Sequence, residues 1–114
     1  MTAYSLAELM IVACAEAWRG DGELMATGIG ALPRLGSGLA KKTFSPDLMI
    51  TDGECLYMDD PTPPGSQADP AYVEGWALYD RTFSTLWGGK RHSMVGPVQL
   101  DRFGQANISI IGDH

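Results

Sequence analysis

The segment Pro46–Asp60, PDLMITDGECLYMDD, contains an apolar strand that ends in a glycine between two carboxylates. Residues 48–50 are typical of a buried strand, and Asp52, Gly53 and Glu54 follow almost directly. A carboxylate at the end of a buried strand can serve as a general acid or base in a cleft. We therefore take Asp52 and Glu54 as candidate catalytic residues. The alternative is that both carboxylates only keep a surface turn hydrated.

The segments around this strand predict an α/β fold. Helices are predicted at residues 5–19, at about 34–43 and in part of 72–89, and strands at 23–27, 47–51, 92–98 and 106–111. Ser5 with Glu8 three residues later is typical of a helix capping box. Four aromatic residues with near-helical spacing in the last helical region are interpreted as core packing: Trp76, Tyr79, Phe83 and Trp87. Alternating strands and helices favour a mostly parallel open sheet with flanking helices.

One domain spans residues 1–114, because the chain has only 114 residues. Residues 59–71, DDPTPPGSQADPA, hold four of the seven prolines and predict an irregular surface loop. Residues 100–105 predict a hairpin-like turn before the last strand.

Composition and charge exclude several classes of protein. The net charge of −6 argues against nucleic-acid binding, which needs a basic face. No apolar run reaches about 18 residues, so we expect no membrane helix, and the N-terminal residues lack the basic region of a secretory signal. Two cysteines, Cys14 and Cys55, are too few for a disulfide framework, which favours the cytoplasm.

Common cofactor and nucleophile motifs are absent. Residues 28–33, GIGALP, have proline where a dinucleotide fingerprint has its third glycine, so NAD binding is a weak interpretation. Ser37 does not lie in a nucleophile elbow. The histidines His92 and His114 and the cysteines lack metal-ligand spacing, so we expect no metal site. We interpret His92 as a strand-edge residue and expect no resident cofactor.

Four segments together resemble the β subunit of class I CoA-transferases, the glutaconate CoA-transferase group. They are Ala26–Glu54, Val95–His114, Glu74–Trp76 and Trp87–His92. The resemblance is greatest to the β subunit of the CoA-transferase-like hydrolases of bacterial steroid-ring degradation. It covers about residues 5–114. Family subunits are roughly twice as long, so this chain is expected to correspond to the N-terminal part, as a fragment, a split subunit or a reduced relative.

The resemblance implies an acyl-CoA enzyme in which coenzyme A is part of the substrate and an α subunit is the partner. Transferases of this group use a glutamate that attacks the thioester and becomes a glutamyl thioester. Counted from Pro46, that position falls on Gly53, one residue from each carboxylate. Because a shift of one residue reverses the face of a strand, we expect Glu54 to be a pocket carboxylate rather than the covalent nucleophile. The steroid group implies hydrolytic opening of a cyclic β-keto acyl-CoA, with the main catalytic glutamate on the α subunit.

The resemblance also implies the substrate-binding residues. The glycine-rich loop with Gly28 and Gly30 is expected to offer backbone N–H groups to an oxyanion or to the acyl group. Gln99, Asp101 and Asn107 match the family's turn, although Asp and Asn in turns often bond only to their own backbone. The basic residues nearest this loop could face CoA phosphates or only solvent: Arg34, Lys41 and Lys42.

Three functions remain open at this point. The chain is a subunit of a CoA-ester enzyme, either a hydrolase or a transferase; or it is a non-catalytic ligand-binding module; or it is an assembly subunit whose sheet edge pairs with another chain. Copurification with a second chain would favour the first or the third. The sequence does not specify the acyl group or the oligomeric state.

Overall fold

The computed structural model describes residues 3–23, 25–53, 55–89 and 91–112 and contains a five-stranded sheet flanked by helices. The sheet strands are β1 (Met25–Gly28), β2 (Met49–Thr51), β3 (Leu56–Met58), β4 (Val73–Trp76) and β5 (Arg91–Met94), in the order β4-β3-β2-β1-β5. The helices are α1 (Leu6–Glu16), α2 (Ala31–Thr43) and α3 (Tyr79–Trp87). A separate hairpin pairs β6 (Gln99–Leu100) with β7 (Ala106–Asn107).

The α/β class and the flanking helices are confirmed, but the sheet is mixed. β1 is parallel to β2 and to β5, whereas β2–β3 and β3–β4 are antiparallel. The expected mostly parallel arrangement therefore holds only around β1. A parallel pair needs a long crossover connection, and α2 supplies one between β1 and β2. Only a short connection separates Thr51, the last residue of β2, from Leu56, the first residue of β3, so β3 runs back beside β2.

Helix α2 packs on β1 and β2, and α1 packs on α2. The predicted capping box is present, because the Ser5 hydroxyl accepts the Glu8 N–H and the Glu8 carboxylate accepts the Ser5 N–H. Gly36 of α2 lets the helices approach closely, since a Cβ there would lie 2.5 Å from the Cβ of Cys14. The apolar core joins residues of both helices to residues of the sheet and its connections: Ala15, Trp18, Ala26, Ala40, Leu48, Ile50 and Met58.

The prediction that part of residues 72–89 is helical is confirmed by α3. The segment begins with β4 and becomes helical only at Tyr79. Neither β3 nor β4 was predicted. The interpretation of the aromatic stripe as core packing is wrong, because its side chains are 54% to 87% exposed: Trp76, Tyr79, Phe83 and Trp87. In the part of the chain that the structure describes, the four aromatic side chains are therefore exposed to solvent.

Residues 59–69 contain neither helix nor strand and precede a 3-10 turn at Pro70–Tyr72. The segment is held against α2, because Lys41 and Lys42 pair with Asp59 and Asp60. His92 lies in β5, an edge strand, as predicted. In the described ranges, no helix has the length and apolar character needed to cross a membrane.

Candidate functional site

A cavity of about 590 Å³ opens where the carboxyl ends of β1 and β2 meet. Five parts of the chain line it: the end of β1 with the start of α2, the turn after β2, the proline-rich loop, the first residue of α3 and the first residue of β5. The lining residues are Thr27, Gly28, Ile29, Gly30, Ala31, Arg34, Leu35, Asp52, Gly53, Thr62, Pro64, Gly65, Tyr79 and Arg91. The structure thus brings the predicted glycine loop and Asp52 into one site.

Three glycines allow the two turns to touch at this edge. A Cβ on Gly28 would lie 2.4 Å from the carbonyl carbon of Pro33, so α2 packs directly on the strand end. Gly30 and Gly53 both have φ of 101°, in the region that favours glycine. A Cβ on Gly53 would lie 3.3 Å from the carbonyl oxygen of Gly28. Gly53, on which the count from Pro46 places the nucleophile of the transferases that the sequence resembles, therefore has a backbone conformation that a glutamate rarely adopts.

Asp52 lines the cavity and also closes the turn after β2. Its carboxylate accepts the N–H of Leu56 at 3.1 Å, and its own N–H donates to the Leu56 carbonyl at 3.2 Å. A role in holding the turn and a role in the cavity are thus both available to this side chain. Glu54, the other predicted carboxylate, lies outside the described residues.

The backbone donors of the glycine loop are divided between the sheet and the cavity. The N–H of Ile29 donates to the carbonyl of Met94 at 3.0 Å, so it belongs to the pairing with β5. Gly30 is the N-cap of α2, and Ala31 begins the helix at the cavity wall. The first N–H groups of a helix have no intrahelical acceptor and favour an anion. Donors for an oxyanion would thus come from the start of α2 and not from Ile29.

Arg91 is a cavity residue that sequence reasoning missed. It is 4% exposed, and its Nε donates to the hydroxyl of Thr27 at 2.8 Å. Burial lowers the pKa of the Arg91 guanidinium, while Tyr57, Cys55 and Asp52 act in the opposite direction. The only sequence signal was a basic residue at the start of a strand, in the segment Trp87–His92.

The predicted basic cluster separates into two groups. Arg34 lines the cavity. Lys41 instead donates to the carbonyl of Leu48 at 3.0 Å, and Lys42 pairs with Asp60. Arg34 is therefore the member of this cluster that is placed to meet a bound anion.

Gln99, Asp101 and Asn107 lie in the β6–β7 hairpin and line a second, shallow cavity. The Asn107 amide donates to the Gln99 side chain at 2.8 Å. The Asp101 carboxylate accepts the N–H groups of Phe103 and Gln105, both at 2.8 Å. All three side chains thus make local bonds within the hairpin, and none is among the residues that line the first cavity. Their role in substrate binding stays a prediction.

Within residues 3–23, 25–53, 55–89 and 91–112, no group of three or more His, Cys, Asp or Glu side chains could hold a metal ion.

Comparison with known proteins shows that this chain is similar to enzyme subunits. The chain is 42% identical over 106 residues to the cholesterol ring-cleaving hydrolase IpdB subunit of Mycobacterium tuberculosis, and 39% identical over 112 residues to that of Rhodococcus jostii. These matches cover 93% and 98% of the chain. The chain is a homologue of the IpdB subunits. No family model matches it.

The structural comparison agrees with this homology. The fold superimposes on the crystal structure of Rhodococcus jostii IpdAB with a TM-score of 0.83, at 39% identity over 98% of this chain. Glutaconate coenzyme A-transferase from Acidaminococcus fermentans gives a TM-score of 0.75 at 23% identity, which supports the CoA-transferase fold alone. The chain spans 42% to 43% of the length of its IpdB relatives.

Proposed function

We propose that this chain is the β-subunit-like component of an acyl-CoA enzyme that opens a cyclic β-keto acyl-CoA by hydrolysis in steroid catabolism. The observation that carries the proposal is the 42% identity to an IpdB subunit across 93% of the chain. The partner is the α subunit of a CoA-transferase-like enzyme. Coenzyme A enters as part of the substrate, and the two cysteines, which are free thiols, suit a cytoplasmic enzyme.

The reaction adds water to the ring ketone and breaks one carbon–carbon bond. Water adds to the ketone carbonyl, and its proton passes to a base. The bond between that carbonyl carbon and the carbon next to the thioester then breaks. Its electron pair goes to the latter carbon as a thioester enolate, which takes up a proton. The product is an open-chain acyl-CoA with a new carboxylate.

The cavity supplies groups that suit the charges of this reaction. Negative charge develops on the ketone oxygen and then on the thioester enolate. The start of α2 at Gly30 and Ala31, together with Arg34 and Arg91, favours negative charge beside the cavity. Asp52 lies on the same wall and contributes a carboxylate. The main catalytic carboxylate is assigned to the α subunit.

Transfer of coenzyme A to a carboxylic acid is the second candidate. Its specific support is the 31% identity to one subunit of the 3-oxoadipate CoA-transferase of Pseudomonas knackmussii. Transfer requires a glutamyl thioester, whereas the family's nucleophile position carries Gly53 with φ of 101°. That conformation favours glycine, which supports hydrolysis over transfer.

A matched pair of glycine variants tests whether this cavity is the active site. Gly30→Val places a branched side chain at φ of 101° beside the cavity, whereas Gly20→Val places one at φ of 82° in the turn after α1, away from the cavity. Both variants are strained, but only the first blocks the loop. Acyl-CoA turnover by the assembled enzyme should disappear with Gly30→Val and persist with Gly20→Val. Unchanged turnover with Gly30→Val would remove the loop from the active site.

A further inference from the structure

A chain of buried polar groups connects β5 to the turn after β2. The Arg91 Nε donates to Thr27 Oγ1 at 2.8 Å, Thr51 Oγ1 lies 3.4 Å from Thr27 Oγ1, and the Gly53 N–H donates to Thr51 Oγ1 at 3.1 Å. The three side chains are 2% to 4% exposed. Arg91 lies in β5, Thr27 in β1 and Thr51 in β2, so the hydrogen bonds connect three neighbouring strands.

This polar chain lies on the face of the sheet opposite the apolar core. Ala26 and Ile50 are paired neighbours in the apolar core, and Thr27 and Thr51 follow them in sequence. Because successive side chains in a strand point to opposite faces, the threonines lie on the other face. Arg91 pairs in register with Met25, which precedes Thr27 by two residues. To reach Thr27, the Arg91 side chain therefore extends along the sheet toward the cavity.

This series of hydrogen bonds ends at the Gly53 N–H, which belongs to the turn after β2. The bond between Gly53 N–H and Thr51 Oγ1 fixes the plane of the Asp52–Gly53 peptide. That plane sets the direction from which Asp52 enters the cavity. A buried hydrogen-bonded network of this kind holds one arrangement, because each broken bond leaves a polar group in a low-dielectric surrounding.

We propose that Arg91 is a positioning residue for the turn Thr51–Gly53, acting through the hydroxyls of Thr27 and Thr51 on the Gly53 amide. The inference rests on the proposed function, because it assigns the turn to the acyl-CoA site. It concerns alignment of the turn and not binding of coenzyme A. Loss of the network should therefore lower kcat and leave KM nearly unchanged.

The test compares Thr27→Val, which keeps the shape but removes the hydroxyl, with Thr27→Ser, which keeps the hydroxyl. In the assembled enzyme, Thr27→Val should lower kcat about tenfold, the change that ~1.4 kcal/mol of transition-state stabilisation produces. Thr27→Ser should retain most of the native kcat. Arg91→Lys keeps the charge but lacks the Nε donor, and it should behave like Thr27→Val. It also serves as the second variant if Thr27→Val does not fold.

Hydrogen exchange of the Gly53 amide in the same assemblies gives a readout independent of turnover. Thr27→Val and Arg91→Lys should speed this exchange, while the Phe44 amide, bonded to Ala40 at 3.1 Å, should exchange as in the native protein. Ser45→Ala is the control variant. It removes a buried hydroxyl that donates to the Trp18 carbonyl, and it should change neither kcat nor Gly53 exchange.

The outcomes separate the inference from the proposed function. Native Gly53 exchange in Thr27→Val and Arg91→Lys would overturn the inference. Faster exchange with native kcat would equally overturn it, because the turn would then not need this alignment. Failure of the proposed function would instead appear as absent turnover in the unmodified assembly. Faster exchange with reduced kcat, rescued by Thr27→Ser, would support the inference.

Discussion

Replacement of Gly28 by alanine is predicted to force α2 away from the end of β1. The new Cβ would lie 2.4 Å from the Pro33 carbonyl carbon and 2.5 Å from the Arg34 nitrogen, where ordinary contacts are 3.4–4 Å. Both neighbours are backbone atoms, so the helix itself has to move by roughly 1 Å. Overpacking of this kind costs about 1–3 kcal/mol, and we expect the upper end of that range because no flexible side chain can yield.

Urea unfolding of the purified protein, followed by tryptophan fluorescence that includes the buried Trp18, measures this loss. With a slope of about 1.5 kcal/mol per molar urea, a loss of ~3 kcal/mol lowers the midpoint by roughly 2 M. Gly96→Ala is the control, because a Cβ on Gly96 would meet no atom within 4 Å and Gly96 has no positive φ. A midpoint for Gly28→Ala equal to that of Gly96→Ala would refute the close packing of α2 on β1.

Three further predictions concern other parts of the molecule. Gly36→Ala should destabilise the α1–α2 contact by about 1–3 kcal/mol in the same unfolding assay, because its Cβ would lie 2.5 Å from that of Cys14; an unchanged midpoint would contradict that contact. Ser5 lowers the pKa of Glu8 below its ordinary value of 4.5, so the capping box should stabilise the fold above that pH and lose its effect as the pH falls. The difference in unfolding free energy between the native protein and Glu8→Gln should accordingly shrink on acidification, and a difference that is constant with pH would exclude the effect. Because aromatic residues such as Trp87, which is 87% exposed, lie on the surface, the isolated chain should associate at micromolar concentration in sedimentation velocity. A compact monomer would contradict the expectation that another chain covers this aromatic surface.

The sequence predicted the elements whose signals are local. The capping box at Ser5, the helix after the glycine loop and the apolar strand around Ile50 each depend on a few neighbouring residues. β3 and β4 were missed because they are short and their pairing depends on contacts between residues far apart in sequence, such as Leu56 with Trp76. The aromatic stripe was misassigned because helical spacing does not indicate what covers the face of a helix.

The candidate site was predictable only in part, because several of its contacts join residues that are far apart in the sequence. The strand order that places Gly28 beside Gly53 follows from parallel pairing of β1 and β2, and the sequence indicated both turns. Arg91 was missed because its contact with Thr27 joins residues 64 positions apart. The segment Pro46–Asp60 indicated Asp52 and Glu54 as candidate catalytic residues, but the bond of Asp52 to Leu56 depends on the reversal into β3.

Incorporation of solvent oxygen distinguishes hydrolysis of the acyl-CoA from transfer of coenzyme A. The assembled enzyme should convert a cyclic β-keto acyl-CoA in H₂¹⁸O without any acceptor carboxylic acid, and mass spectrometry should find one ¹⁸O atom in the new carboxylate of the ring-opened acyl-CoA. Conversion that requires an acceptor acid, with coenzyme A recovered on that acid and no ¹⁸O in the product, would contradict hydrolysis and favour transfer.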